Sequence, residues 1–138
     1  HKVVGRILNH WKSDESKRWH PDRFNALSRV ELVRDFETVK REITEKHHES
    51  PEVVFTDARP YPNSVTYADY RVELSEPTRS KPALVCFGTG YGISETFFPE
   101  VNRILTPIHG PKGDPDGEYN HLSVRAAAAI ILDRLLGH

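Results

Sequence analysis

Methionine is absent from all 138 residues, position 1 included, and cysteine occurs once. The lone Cys86 excludes an intrachain disulfide and a cysteine-based zinc site, and it fits a reducing, cytoplasmic setting. No apolar run approaches the ~20 residues that a membrane-spanning helix needs, and the chain does not open with the charged-then-apolar pattern of a signal peptide. Charge of one sign is also lacking. The formal net charge is −1 with 28% charged residues, so no global field attracts nucleic acid, and such binding must come from a local basic patch. A chain that lacks methionine and opens inside an amphipathic helix is expected to be a fragment. Its 37% hydrophobic content over 138 residues suits one domain of the usual size, roughly 100 to 150 residues.

Val3, Val4, Ile7, Leu8 and Trp11 recur at helical spacing and predict a helix over 2–12 with one buried stripe. The polar run 13–18 ends it. Beyond Pro21 the pattern predicts a brief helix, a short strand at "SRVELV", and a longer helix after Asp35, which is a plausible N-cap. Val53 to Thr56 reads as a buried strand closed by the loop "TDARPYP", and 66–74 as another brief helix. "ALVCFGTGYG" is apolar on both faces and predicts a central strand that ends in a glycine turn. A short helix capped by Ser94 follows, then "RILTPI" as a strand, the loop "PKGDPDGE", and a last helix that looks fully buried. Strands alternating with helices indicate an α/β fold with a mainly parallel sheet. In such sheets ligands bind beyond the carboxyl ends of the strands, where "TDARPYP", "GTGYG" and "HGPKGDPDGEYN" would meet.

Gly88, Gly90 and Gly92 either permit a tight turn or leave bare backbone against a ligand. Their spacing departs from the dinucleotide fingerprint G-x-G-x-x-G, because the third glycine comes one residue early. Asn120 or Ser123 would satisfy the orphan amides of the last helix. Tyr119, His121 and Arg125 exceed what a cap requires, and Arg125 heads a face of Ala126 to Leu132 where an arginine would need anionic or carbonyl partners. The histidines lack the paired spacing of a zinc motif, so no metal is expected.

"LVCFGTGYGISETFFPEVNRILTPIHG" together with "YNHLSVRAAAAIILDRLLG" resembles the SPOUT class of S-adenosylmethionine-dependent RNA methyltransferases. The resemblance is to a bacterial family sometimes fused to a tRNA guanine-N1-methyltransferase. It implies a Rossmann-like parallel sheet with a C-terminal deep trefoil knot, an exception to the rule that connections do not thread. It further implies one domain over 1–138 that lacks an N-terminal strand-helix-strand unit, with the cofactor-binding knot at about 83–138.

By position, the resemblance assigns Phe87, Gly88, Thr89, Gly90 and Gly92 to a first cofactor loop. Leu105, Pro107, Ile108 and Gly110 fall in a second, and Asn120, His121, Leu122 and Ser123 in a third, with Leu105, Ile108 and Leu122 sandwiching the adenine. Arg125, His121 and Asn120 are the candidate catalytic residues. Arg59, Arg23 and Lys112 are candidates for RNA backbone contact, set against ordinary surface solvation. The implied partners are RNA, tRNA in particular, and a second copy in a homodimer. Phe97, Phe98 and Trp11 are candidate dimer contacts or core residues. The "LSVRAAAAI" run favours ribose 2'-O-methylation, and the alternatives are guanine-N1 methylation or a non-catalytic RNA-binding or dimerisation module that keeps the pocket.

Overall fold

The computed structural model describes residues 2–88, 92–110 and 122–137. The chain forms two compact units, 1–42 and 43–138. Among the described residues no helix is long and apolar enough to cross a membrane.

The first unit contains α1 (Lys2–Trp11), α2 (Asp14–Trp19) and α3 (Pro21–Ser28), and the boundary falls inside α4 (Phe36–His47). The polar run after α1 is a helix rather than a loop. Ser13 starts it by accepting a hydrogen bond from the Ser16 amide at 3.2 Å, with Asp14 and Glu15 in the first turn and Lys17 and Arg18 in the last. That order of charges complements the helix dipole and replaces the missing apolar stripe. The strand expected at "SRVELV" does not form. Val30 and Leu32 are exposed, and the Val30 carbonyl accepts from Lys12 Nζ at 2.6 Å instead of from a neighbouring strand. Asp35 caps α4 as expected, its Oδ1 accepting from the Thr38 amide at 2.8 Å.

Just past the end of α4, His48 has φ 58°. This is the left-handed position that normally takes glycine after a helix. His48→Gly should raise the unfolding free energy by about 1 kcal/mol, read as a higher urea midpoint with an unchanged slope. An unaltered midpoint would place that strain elsewhere.

The second unit is a parallel sheet of β1 (Glu52–Thr56), β2 (Ala83–Cys86) and β3 (Arg103–Leu105), in the order β2-β1-β3. The register pairs Val53 with Leu84 and Phe55 with both Cys86 and Ile104. β1, not β2, is therefore the middle of the described strands. Hydrogen-bonded on both sides, it is buried from Glu52 to Phe55, whereas β2 is exposed at Ala83 and only half-buried beyond. Val65 adds a parallel bridge outside β3. Its amide donates to Ile104 O at 2.8 Å, and its carbonyl accepts from Thr106 N at 3.0 Å.

The alternation of side chains along β1 sends Val54 to one face and Phe55 to the other. Val54 joins Tyr70 of α5 (Tyr67–Ser75), Leu105, and Ile131 and Leu135 of α6 (Val124–Leu136) in the core. Phe55 meets Phe98 edge-on at 6.2 Å. Phe98 belongs to a 3-10 helix, Glu95–Glu100, whose preceding Ser94 makes no side-chain cap. It is Phe98 that turns inward, while Phe97 is exposed.

The last helix is not fully buried. Ile131 and Leu135 face the core, but Leu132 and Leu136 are exposed, and so is Arg125. The expected need for buried partners around Arg125 therefore falls away. The arginine sits in the first turn, where the helix has not yet reached the sheet-facing contacts of Ile131.

Candidate functional site

Because all three strands are parallel, the loops after Thr56, Cys86 and Leu105 leave the sheet at one edge. Thr56 Oγ1 donates to the Cys86 carbonyl at 2.9 Å, tying the first two loops at their roots. Tyr67 Oη donates to the Thr106 carbonyl at 2.7 Å and fixes the third. Burial raises the Tyr67 pKa, so the phenol stays protonated as that donor.

The glycine turn closes on itself. A Cβ on Gly88 would lie 2.6 Å from the carbonyl carbon of Gly92 and 2.9 Å from its Cα, so only glycine permits this approach. Gly92 has φ +79°, and a Cβ there would stand 3.8 Å from Asp57 Oδ2 and 3.9 Å from Arg59 Nη2. The bare backbone after β2 thus borders a carboxylate and a guanidinium supplied by the loop after β1.

Asp57 organises that loop. Its Oδ1 accepts from the Arg59 amide at 2.9 Å and from Arg59 Nε at 3.2 Å, and its Oδ2 accepts from Arg59 Nη2 at 2.9 Å and from Tyr61 Oη at 3.3 Å. Burial works against ionisation of Asp57, but the hydrogen bonds from the Arg59 side chain and amide outweigh it and hold the carboxyl below the usual carboxylate range. Arg59 also lies 5.7 Å over the Tyr61 ring, and Tyr61 packs on Phe98 at 5.8 Å. The aromatic side chains thus link the ion pair to the sheet through Phe55. Sequence reading singled out Arg59 but missed Asp57 and Tyr61. The signal was available as an Asp two residues before an Arg, directly after a buried strand.

The other expected site residues divide into three groups. Phe87 and Ile108 are half-buried against the core, and Pro107 is buried. Leu105 is 1% exposed and packed within the core, so what it offers this edge is its backbone. Gly110 and Leu122 are exposed, and Ser123 caps α6 by accepting from the Ala126 amide at 3.2 Å. Arg23 belongs to the first unit, where its guanidinium stacks 4.5 Å over Trp11. Thr89, Gly90, Lys112, Asn120 and His121 lie outside the described residues.

A donor set of this kind suits a ligand with a ribose diol and an amino-acid end. Asp57 can accept from hydroxyl or ammonium groups, Arg59 can hold a carboxylate or phosphate in a fork, and the glycine turn lets both come close. A family model described as SAM-dependent RNA methyltransferase matches residues 1–137. Three relatives match nearly the whole chain. An uncharacterised protein of Aquifex aeolicus is 40% identical over 96% of this chain and 62% of its own length. Proteins of Nitratidesulfovibrio vulgaris and Oleidesulfovibrio alaskensis, both named tRNA (guanine-N(1)-)-methyltransferase, are 39% and 35% identical over 99% of this chain and 30% of their own lengths. The chain thus spans less than two thirds of each.

Proposed function

Since this chain belongs to the SAM-dependent RNA methyltransferase family, we propose that it takes part in methyl transfer to tRNA at the carboxyl edge of its sheet. The observation that carries this reading is the glycine turn, whose Gly92 backbone stands beside the Asp57–Arg59 pair. S-adenosylmethionine, when bound, supplies an electrophilic methyl group on a sulfonium. The chain's own residues do the positioning, which is the larger part of catalysis when the cofactor carries the chemistry. Gly88 and Gly92 bring backbone to the ribose, Asp57 accepts from hydroxyl or ammonium groups, and Arg59 takes a carboxylate or an RNA phosphate. Asn120, His121 and Arg125 belong to the same reading as groups that orient the acceptor, and Lys112 as a backbone contact. A knotted passage over about 83–138, within one methyltransferase domain, belongs to it as well. So does a homodimer, for which the exposed Leu132, Leu136 and Val72 offer apolar surface.

For the methylated atom, the names of two relatives favour a tRNA base, guanine N1, over the ribose 2'-hydroxyl suggested by "LSVRAAAAI". The test uses the intact gene product. S-adenosylhomocysteine should bind in calorimetry, radiolabelled methyl should pass to tRNA, and the labelled nucleoside should be 1-methylguanosine. A 2'-O-methylated nucleoside would return the ribose reading. Cofactor binding without transfer to any RNA would leave the non-catalytic module, and no cofactor binding would overturn the proposal.

A further inference from the structure

We infer that the basic, aromatic surface of α1–α3 is a docking platform for unpaired RNA, with the Trp19 indole as the face on which a base stacks. The inference rests on the RNA methyltransferase reading, and it concerns a surface of the first unit that neither the sheet edge nor the family match assigns. Charge is unevenly divided along the chain. Residues 2–29 hold seven Lys and Arg against three Asp and Glu, whereas 43–138 hold nine against thirteen. Both tryptophans fall in the basic stretch. A local patch of this sign is what a nearly neutral chain needs to hold phosphates.

The two indoles are treated differently. Trp11 is half-buried and engaged, with Arg23 at 4.5 Å over its ring and the His10 and His20 rings edge-on at 5.1 and 5.8 Å. These contacts fix where the Arg23 charge sits. Trp19 is 67% exposed, and its ring contact is with a cation, Arg18, at 5.4 Å. Neither Arg18 nor Arg23 forms an ion pair with a carboxylate among the described residues. An exposed indole flanked by uncommitted guanidinium groups is the arrangement by which single-stranded nucleic acid is held, through base stacking and phosphate neutralisation.

Between Trp19 and Arg23 lies an open cleft of about 740 Å³, with Ala26 and Leu27 as apolar lining and His20 and Asp22 as polar lining. The Asp22 carboxylate repels phosphate and accepts hydrogen bonds, so the cleft suits a base, while Arg18 and Arg23 suit the backbone on either side of it.

The test titrates unmodified tRNA into the full-length protein and follows S-adenosylhomocysteine binding in parallel. Trp19→Ala should weaken tRNA binding about tenfold, and Trp19→Phe should retain most of it. Arg18→Gln with Arg23→Gln should lower the slope of log affinity against log salt by about one. Cofactor affinity should not move. In Trp11→Phe protein, where Trp19 is the only indole, RNA should quench the emission. Wild-type tRNA affinity in Trp19→Ala, or emission unmoved by RNA, overturns the platform. Loss of self-association in Trp19→Ala with RNA binding intact also overturns it, by assigning the surface to a second copy. Wild-type protein that binds the cofactor but no tRNA defeats the RNA reading, and the platform with it. Wild-type protein that binds tRNA as tightly as Trp19→Ala defeats the platform alone.

Discussion

Gly88→Ala should weaken S-adenosylhomocysteine binding by about 100-fold while leaving the helices and the sheet intact, as read by calorimetry alongside far-ultraviolet circular dichroism. The added methyl meets backbone only, the carbonyl carbon, oxygen and Cα of Gly92 at 2.6, 2.8 and 2.9 Å. No rotamer change relieves a clash with backbone, so the turn has to open. Overpacking of this kind costs about 1–3 kcal/mol, and the upper end corresponds to about 100-fold in affinity if the cofactor must restore the closed turn. Gly92→Ala separates space from conformation. Its Cβ has room, with the nearest atom at 3.8 Å, but φ +79° is strained for any other residue. It should therefore be milder, about 1–2 kcal/mol. Wild-type affinity in Gly88→Ala would mean that the turn does not wall the cofactor.

The second large effect belongs to the opposite edge of the sheet. Glu52, at the amino end of β1, accepts from Tyr70 Oη at 2.8 Å, from Arg79 Nη2 at 2.6 Å and from Arg103 Nε at 3.3 Å. Arg103 also reaches Glu73 at 3.1 Å. The Glu52 and Arg79 side chains are 11% and 16% exposed, so Glu52→Ala leaves a guanidinium largely buried without its counter-ion. Removing one partner of such a pair costs about 3–5 kcal/mol, a large part of the roughly 5–15 kcal/mol that holds a domain together. Chemical denaturation should show that loss. Cofactor affinity of the fraction that remains folded should be unchanged, because Glu52 and Thr56 lie about 13 Å apart along the strand.

Acid provides a second reading of the same cluster. Burial opposes ionisation of Glu52, yet the hydrogen bonds from Arg79 and Tyr70 prevail and its folded pKa lies below the ordinary carboxylate value. The stabilisation is therefore complete above the unfolded pKa, about 4.3, and disappears as pH falls through the folded value. Glu52→Gln should lack that acid-dependent component. Equal acid sensitivity in Glu52→Gln and wild type would assign the loss to other carboxylates.

Elements with a local cause were legible in the sequence. Asp35, Thr66 and Ser123 each accept from an amide three residues on, and each precedes the helix its side chain suggests. The apolar run at 53–55 is the strand it looks like. α2 was illegible as a helix because it has no apolar stripe, only a cap and ordered charges. Val30 and Leu32 alternate as a strand would, but alternation does not supply a pairing partner. Two apolar runs, 53–55 and 83–87, look alike in sequence, and only pairing makes the first the middle one. The site was half legible for a related reason. Arg59 and the glycines stand out singly, whereas Asp57 matters because folding brings Gly92 beside it. The Glu52 cluster joins residues up to 51 positions apart and has no local signature.

Asn102 holds the middle strand by a reciprocal pair of bonds, its amide donating to Val53 O at 2.9 Å and its Oδ1 accepting from Val53 N at 2.8 Å. During synthesis, Val53 therefore emerges 49 residues before the group that completes it. At about 5–20 residues per second, that is a wait of roughly 2 to 10 seconds. Throughout that interval the apolar segment 53–55 has no partner on its β3 side, while α1–α3, whose contacts are short in sequence, can already close. Nonlocal pairing of this kind is slow to form and exposed to aggregation until it does. The vulnerable moment in the life of this protein thus falls in translation, between the emergence of Val53 and that of Asn102.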